Sequence, residues 1–319
     1  MHPASSQAPS TTAGEPFNDI NADVILRSSD NVDFRVFKCI LSLASPVFKD
    51  MFTLGSTLQQ QEPHSLSIVS MSETGKTLEA LLGLLYPGAI VKLAFFEQAK
   101  SLIAAVVKYD MSERVTSRLK ELIIEKFMCP GHAVSLYSIA CQHGWQDLAE
   151  KAARATLEIR DLGRASHHYP ELDDLSAAAY QRLLEYHYTC GVNLRDLKDY
   201  LDGDWFAPPD YLCDLGPFDN FDFEGYYGCT CGENEEDHEW VQLYLDACSK
   251  ALLYRPHPST IDQFGFIETL RERGTKLCPR MPLQLLWFRS RYTKKIEEEI
   301  SDVSITHVLE CNTDLINRS

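Results

Sequence analysis

The stretch that decides the fold is ADVILRSSDNVDFRVFKCILSLASPVFKDMF, which spans residues 22–52. Apolar residues alternate with polar ones over residues 32–36, and residues 22–27 are rich in aliphatic side chains. Both patterns are typical of β-strands. Because residues 28–31 read Ser-Ser-Asp-Asn, which favours a turn, we predict that the two strands pair as a hairpin.

The apolar period changes to that of a helix after the hairpin. A helix is predicted from Lys38, and Pro46 opens a second one, since proline is favoured in the first turn of a helix. A strand-like segment at residues 66–71 and three further amphipathic patterns follow. The sequence therefore predicts the order β-β-α-α-β-α-α-α for residues 17–127.

Length and composition limit the class of protein. The chain has 319 residues, of which 45% are hydrophobic and 24% charged, so a folded protein of about two domains is expected. No apolar run reaches the roughly 18–20 residues that a membrane span needs, which predicts no membrane insertion. A net charge of −16 argues against binding to nucleic acid, because phosphate backbones would be repelled.

The negative charge is concentrated in one segment. Residues 202–240 hold twelve acidic residues and no Lys or Arg, which leaves 34 acidic against 30 basic residues elsewhere. The same segment carries nine aromatic residues, which a purely solvated acidic tail would lack. We therefore predict an acidic aromatic insert at residues 201–245, which separates an N-terminal part from a C-terminal helical region at residues 246–319.

The spacing across the hairpin and the first two helices resembles the BTB/POZ domain. The resemblance rests on Ala22-Asp23-Val24 and on Phe34-x-Val36-x-Lys38-x-Ile40-Leu41-x-x-x-Ser45-x-x-Phe48-x-x-Met51-Phe52. It covers residues 17–127 and implies a small α/β domain that associates with itself or with another BTB protein. Phe37 stands where the family usually has His, and an apolar ring there suggests a contact with a partner or with the downstream helices. The resemblance implies that Asp23 and Lys38 lie near a dimer interface, to which Phe37 is also assigned. It implies that the apolar residues of the first two helices divide between core and interface: Ile40, Leu41, Phe48, Met51 and Phe52.

Residues 128–200 have helical periodicity and resemble the helical extension of single-BTB proteins of fungi. The predicted fold class is therefore α+β, with an N-terminal BTB/POZ-like α/β domain, a mainly helical extension and a C-terminal helical region. Residues 1–16 are rich in Ser, Thr, Ala and Pro without the features of a signal peptide, so we expect a disordered tail. Ten scattered Cys favour an intracellular location, in cytoplasm or nucleus.

The predicted function is protein–protein association without catalysis. An alternative is a substrate adaptor for a cullin-type ubiquitin ligase, because some BTB proteins recruit that scaffold. Such members tend to have an apolar-x-Glu triplet after the Met-Phe pair, whereas the nearest triplet here is Leu58-Gln59-Gln60. The missing acid weakens this alternative.

A second candidate site lies in the acidic insert. Cys213, Cys229, Cys231 and His238 could supply four ligands to a structural zinc ion, with Cys248 as a substitute. Cys-x-Cys is a tighter spacing than the common Cys-x-x-Cys pair, so zinc binding and unliganded thiols both stay open. A metal-dependent hydrolase is a further alternative. However, the run His-Glu-Trp-Val-Gln from His238 lacks the second His of a zinc-protease helix.

Overall fold

The computed structural model describes residues 10–58, 66–164, 169–200, 239–262 and 281–303. The chain forms two compact units, Met1–Phe127 and Met128–Ser319. In the described part of the chain, no helix is both long enough and apolar enough to cross a membrane. The architecture is α+β, with one small mixed sheet and many helices, which confirms the predicted fold class.

The first unit contains a four-stranded sheet. Its strands are β1 (Thr11–Thr12), β2 (Val24–Arg27), β3 (Val32–Val36) and β4 (Ser67–Ser70), in the spatial order β1-β3-β2-β4. Strands β2 and β3 are antiparallel, which confirms the predicted hairpin, and β4 runs parallel to β2.

Strand β1 corrects the prediction of a disordered tail over residues 1–16. Thr11 donates its backbone N–H to the carbonyl oxygen of Asn31 at 3.0 Å, and Ala13 donates to that of Asp33 at 2.9 Å. The prediction was wrong at these positions because the outer edge of β3 offers unpaired backbone groups, whose partners cannot be read from local composition.

The hairpin turn is fixed by its own side chains. Asn31 has a positive φ of 60°, a conformation that Asn tolerates better than most residues. The Ser28 hydroxyl donates to Asp30 Oδ1 at 2.6 Å, and the same oxygen accepts the backbone N–H of Gly75 at 2.7 Å. Asp30 therefore holds the turn against the first residue of the helix that follows β4.

Helices cover the rest of the first unit. Leu26, Phe34, Leu81 and Leu102 are buried in its core. The helices are α1 (Lys38–Ala44), α2 (Pro46–Leu58), α3 (Gly75–Leu85), α4 (Phe96–Lys108) and α5 (Glu113–Phe127). The observed order confirms the predicted one, with β1 added in front.

The described part of the second unit is helical. Its helices are α6 (Pro130–Gln142), α7 (Gln146–Thr156), α8 (Ala177–Asp196), α9 (Glu239–Tyr254) and α10 (Met281–Asp302), with short 3-10 helices at Pro170–Asp174, Leu197–Tyr200 and Pro258–Asp262. Because α9 begins at Glu239 and buries Tyr244 and Leu245, the predicted insert boundary at residue 245 is wrong. Residues 201–238 lie outside the described residues.

Helices α8 and α9 pack against each other although 42 residues separate them in the sequence. The Ser249 hydroxyl donates to the carbonyl oxygen of Arg195 at 2.6 Å, and Lys198 Nζ lies 2.6 Å from Asp246 Oδ1. The backbone of α9 approaches α8 most closely at Gly191, which faces Leu253. Two regions that the sequence analysis separates, 128–200 and 246–319, therefore share one packed unit.

A buried histidine in this unit predicts a pH-dependent stability. His187 is 6% exposed, and its Nε2 lies 2.9 Å from the carbonyl oxygen of Ile159. Burial lowers the pKa of His187 below its ordinary value of 6.5, although the bond to Ile159 and the charge of Asp161 oppose this shift. The folded protein therefore keeps His187 neutral at a pH where the unfolded chain takes up a proton.

We expect the free energy of unfolding to fall as the pH drops below about 6.5, by at most about 1.4 kcal/mol per pH unit for this group. His187→Gln should weaken this dependence in urea unfolding between about pH 7.5 and 5.5. His143 and His257 also have lowered pKa values, but they titrate in both proteins and cancel in the difference. Parallel pH curves for the two proteins would contradict this assignment.

Candidate functional site

The start of α1 is held by two hydrogen bonds from distant residues. The backbone N–H of Lys38 donates to Asp23 Oδ1 at 2.7 Å, and that of Phe37 donates to the Tyr86 hydroxyl at 2.9 Å. A carboxylate at a helix N-terminus is favourable, because the helix dipole is positive there. Asp23, predicted near a partner interface, thus has a defined role inside the domain while it stays exposed.

Two residues of the predicted interface belong to the core. Leu41 and Phe48 are both 0% exposed, and the Phe48 ring stacks on Tyr109 with the ring centroids 4.7 Å apart. The Tyr109 hydroxyl donates to Glu73 Oε2 at 2.5 Å, and burial raises the pKa of Tyr109 to about 12. Of the residues predicted to divide between core and interface, Leu41 and Phe48 therefore belong to the core, because their side chains are already enclosed.

The other predicted residues keep part of their surface in water. Phe37, Lys38, Ile40, Met51 and Phe52 are half-buried. Lys38 Nζ lies 5.8 Å from the centroid of the Phe52 ring, a distance at which a cation is attracted to an aromatic face. These side chains can contact a partner without unfolding the domain.

Among the side chains of α1 and α2 whose burial is described, the two most exposed apolar ones were not predicted from the sequence. Leu43 in α1 is 86% exposed and Leu54 in α2 is 65% exposed. Leu43 follows Ile40 by three positions and Leu54 follows Met51 by three, so helical spacing could have found both. We define the α1–α2 apolar surface as Ile40, Leu43, Val47, Met51 and Leu54.

Comparison with known protein families identifies this unit. Residues 15–126 match the family model described as BTB/POZ domain, which covers about a third of the chain. This protein contains a BTB/POZ domain. The match confirms the resemblance derived from the hairpin and the first two helices, and the BTB domain is a protein-interaction module. The resemblance of the extension to fungal single-BTB proteins stays a prediction.

None of the curated proteins compared with the chain matches it. The BTB assignment therefore rests on the family model and on the fold, and neither names a partner.

The second candidate site is not described by the structure. Cys213, Cys229, Cys231 and His238 all lie outside the described residues. Cys248, the predicted substitute ligand, is buried in α9, where burial raises the pKa of its thiol to about 12. Metal analysis of the purified chain tests the zinc prediction, which stoichiometric zinc would support and its absence would contradict.

The remaining cysteines correct a further expectation. Cysteines outside the candidate zinc site have no partner spacing in the sequence, which predicts that they are small buried side chains. Cys190 is buried, but Cys39 and Cys129 are exposed. Cys39 follows the first residue of α1, and Cys129 precedes the first residue of α6. Among the described residues, no group of three or more His, Cys, Asp or Glu side chains could hold a metal ion.

Proposed function

We propose that the BTB domain associates with a second copy of itself through the α1–α2 apolar surface. The observation that carries the proposal is Leu43, whose side chain is 86% exposed on a helix with Ile40 one turn away. The mechanism is binding, with no chemical step. Localisation in cytoplasm or nucleus stays a prediction.

Exposed leucine side chains favour such an association energetically. Burying one leucine side chain fully contributes roughly 1.5–3 kcal/mol. In a two-fold dimer the same patch on both copies is covered, so each residue contributes twice. The charged residues Lys49 and Asp50 are exposed beside Met51 and would form part of a polar rim.

Replacing Leu43 by Lys is expected to weaken self-association by about 100-fold or more, because two unpaired charges would be placed in the centre of the interface. The fold should be unaffected, since Leu43 is exposed and a cation near the end of α1 is favourable. Sedimentation of the full chain over a range of concentrations measures the change.

Ile90→Lys is the matched control. Ile90 is 80% exposed in the first unit but lies outside the α1–α2 apolar surface, so its replacement should leave the dimer intact. A wild-type chain that stays monomeric at all concentrations would contradict the proposal. Equal weakening by the two substitutions would contradict the assignment to α1 and α2.

The role of a ubiquitin-ligase adaptor stays an alternative prediction. The triplet Leu58-Gln59-Gln60, which lacks the Glu of cullin-binding members, begins at the last residue of α2. Residues 59–65 lie outside the described residues. A pull-down with the cullin scaffold separates the alternatives. Binding that survives Leu43→Lys would assign the adaptor role to a different surface.

A further inference from the structure

A cavity of 290 Å³ is lined by residues of the second unit. One wall is the C-terminal half of α7, another is the turn that follows α9, and the third is α10. The lining side chains that can contact a ligand are Lys151, Arg154, Ala155, His257, Pro258 and Glu297.

The walls of the cavity are tied together. Arg255 donates to the carbonyl oxygen of Glu158 at 2.8 Å and pairs with its carboxylate at 3.0 Å, which joins the turn to the end of α7. Arg154 donates to the Ser301 hydroxyl at 3.1 Å, which joins α7 to α10. Because these contacts hold the walls in place, the protein loses little conformational freedom when a ligand binds.

The charges that line the cavity are not neutralised within the part of the chain that the structure describes. Lys151 and Arg154 are one turn apart on α7, and neither forms an ion pair with a described residue. Glu297 on α10 likewise has no described ion-pair partner, although the nearby Lys295 and Glu299 pair at 2.9 Å. Cations and an anion therefore line one cavity without meeting each other.

Histidine and apolar groups complete the lining. His257 Nδ1 accepts the backbone N–H of Ser259 at 3.2 Å, so the proton of the neutral ring is on Nε2. Nε2 forms no hydrogen bond with a described residue, which leaves it as a donor. Ala155 and Pro258, which are both partly exposed, supply the apolar part of the lining.

We propose that this cavity binds a small zwitterion with an apolar side group, of the chemical class of an apolar amino acid. The carboxylate of the ligand pairs with Lys151 and Arg154, and its ammonium group pairs with Glu297. The apolar side group lies on Ala155 and Pro258. A ligand that carries only one of the two charges leaves either Glu297 or the pair Lys151 and Arg154 without a partner. The site should therefore bind zwitterions more tightly than singly charged molecules.

The test titrates the full chain with three small molecules and follows binding by saturation-transfer NMR. The probes are L-leucine, isovalerate, which lacks the ammonium group, and isoamylamine, which lacks the carboxylate. L-leucine should bind with a Kd on the order of 1 mM, as expected for so few atoms. Each single-charge probe should bind at least about 5-fold more weakly, in line with the loss of one partly exposed ion pair.

Two variants test which side chain binds each charged group of the ligand. Lys151→Met should weaken leucine binding about 5-fold, and Glu297→Gln should remove the preference for leucine over isovalerate. Lys250→Met on α9 and Glu298→Gln on α10 are exposed controls that should change neither result. The proposal is overturned if leucine does not bind, if isovalerate binds as tightly as leucine to the wild type, or if the controls act like the test variants.

Discussion

Replacing Phe48 by Ala is expected to destabilise the BTB domain by about 3–5 kcal/mol, the usual cost of removing a buried aromatic ring. Phe48 is fully buried in α2 and stacks on Tyr109, which in turn is bonded to Glu73. The change leaves a cavity at the point where α2 meets the end of α4. The loss should appear in urea unfolding and as faster hydrogen exchange within residues 15–126.

Leu54→Ala is the matched control for this substitution. Leu54 lies on the same helix but is 65% exposed, so at concentrations where the chain is monomeric its truncation should change the free energy of unfolding by less than about 0.5 kcal/mol. Similar losses from both substitutions would contradict the division of α2 into a core face and a surface face.

Replacing Gly191 by Ala is expected to destabilise the second unit by about 2–3 kcal/mol. A Cβ atom at this position would collide with the Leu253 carbonyl oxygen and lie 3.2 Å from the carbonyl carbon. Backbone atoms cannot rotate away as a flexible side chain can, so α9 would have to shift from α8. This cost exceeds the roughly 1 kcal/mol that alanine contributes through its higher helix propensity.

Gly131→Ala is the control that shows the effect of replacing a helical glycine by alanine without a steric clash. Gly131 is also helical and belongs to the same unit, but nothing lies within 4 Å of its added Cβ. This substitution should be neutral or stabilise the unit by up to about 1 kcal/mol. Hydrogen exchange should accelerate in α8 and α9 only for Gly191→Ala, and equal behaviour of both variants would contradict the close approach.

The elements that local pattern determines were predicted correctly. Alternation around Phe34 and the change of period at Lys38 were enough for the hairpin, the first two helices and the fold class. The spacing of these residues also led to the correct family. Each of these signals lies within a few residues of the element it specifies.

Features that depend on distant partners were missed. Thr11 pairs with a strand twenty residues away, and Gly191 faces a helix that comes after the acidic segment. Whether an apolar helix residue is exposed depends on what packs over it, so Phe48 and Leu43 could not be told apart by residue type. The cavity beside Lys151 lies between α7, the turn after α9 and α10, and no local motif in the sequence indicates it.

The contacts between α8 and α9 have a practical consequence. Helix α8 ends at Asp196 and α9 begins at Glu239, yet Ser249 bonds to the backbone of Arg195, and Asp246 pairs with Lys198 just after α8. These contacts hold together two parts of the chain that are far apart in sequence. A chain cut within residues 201–238 should therefore stay together as a complex of two fragments.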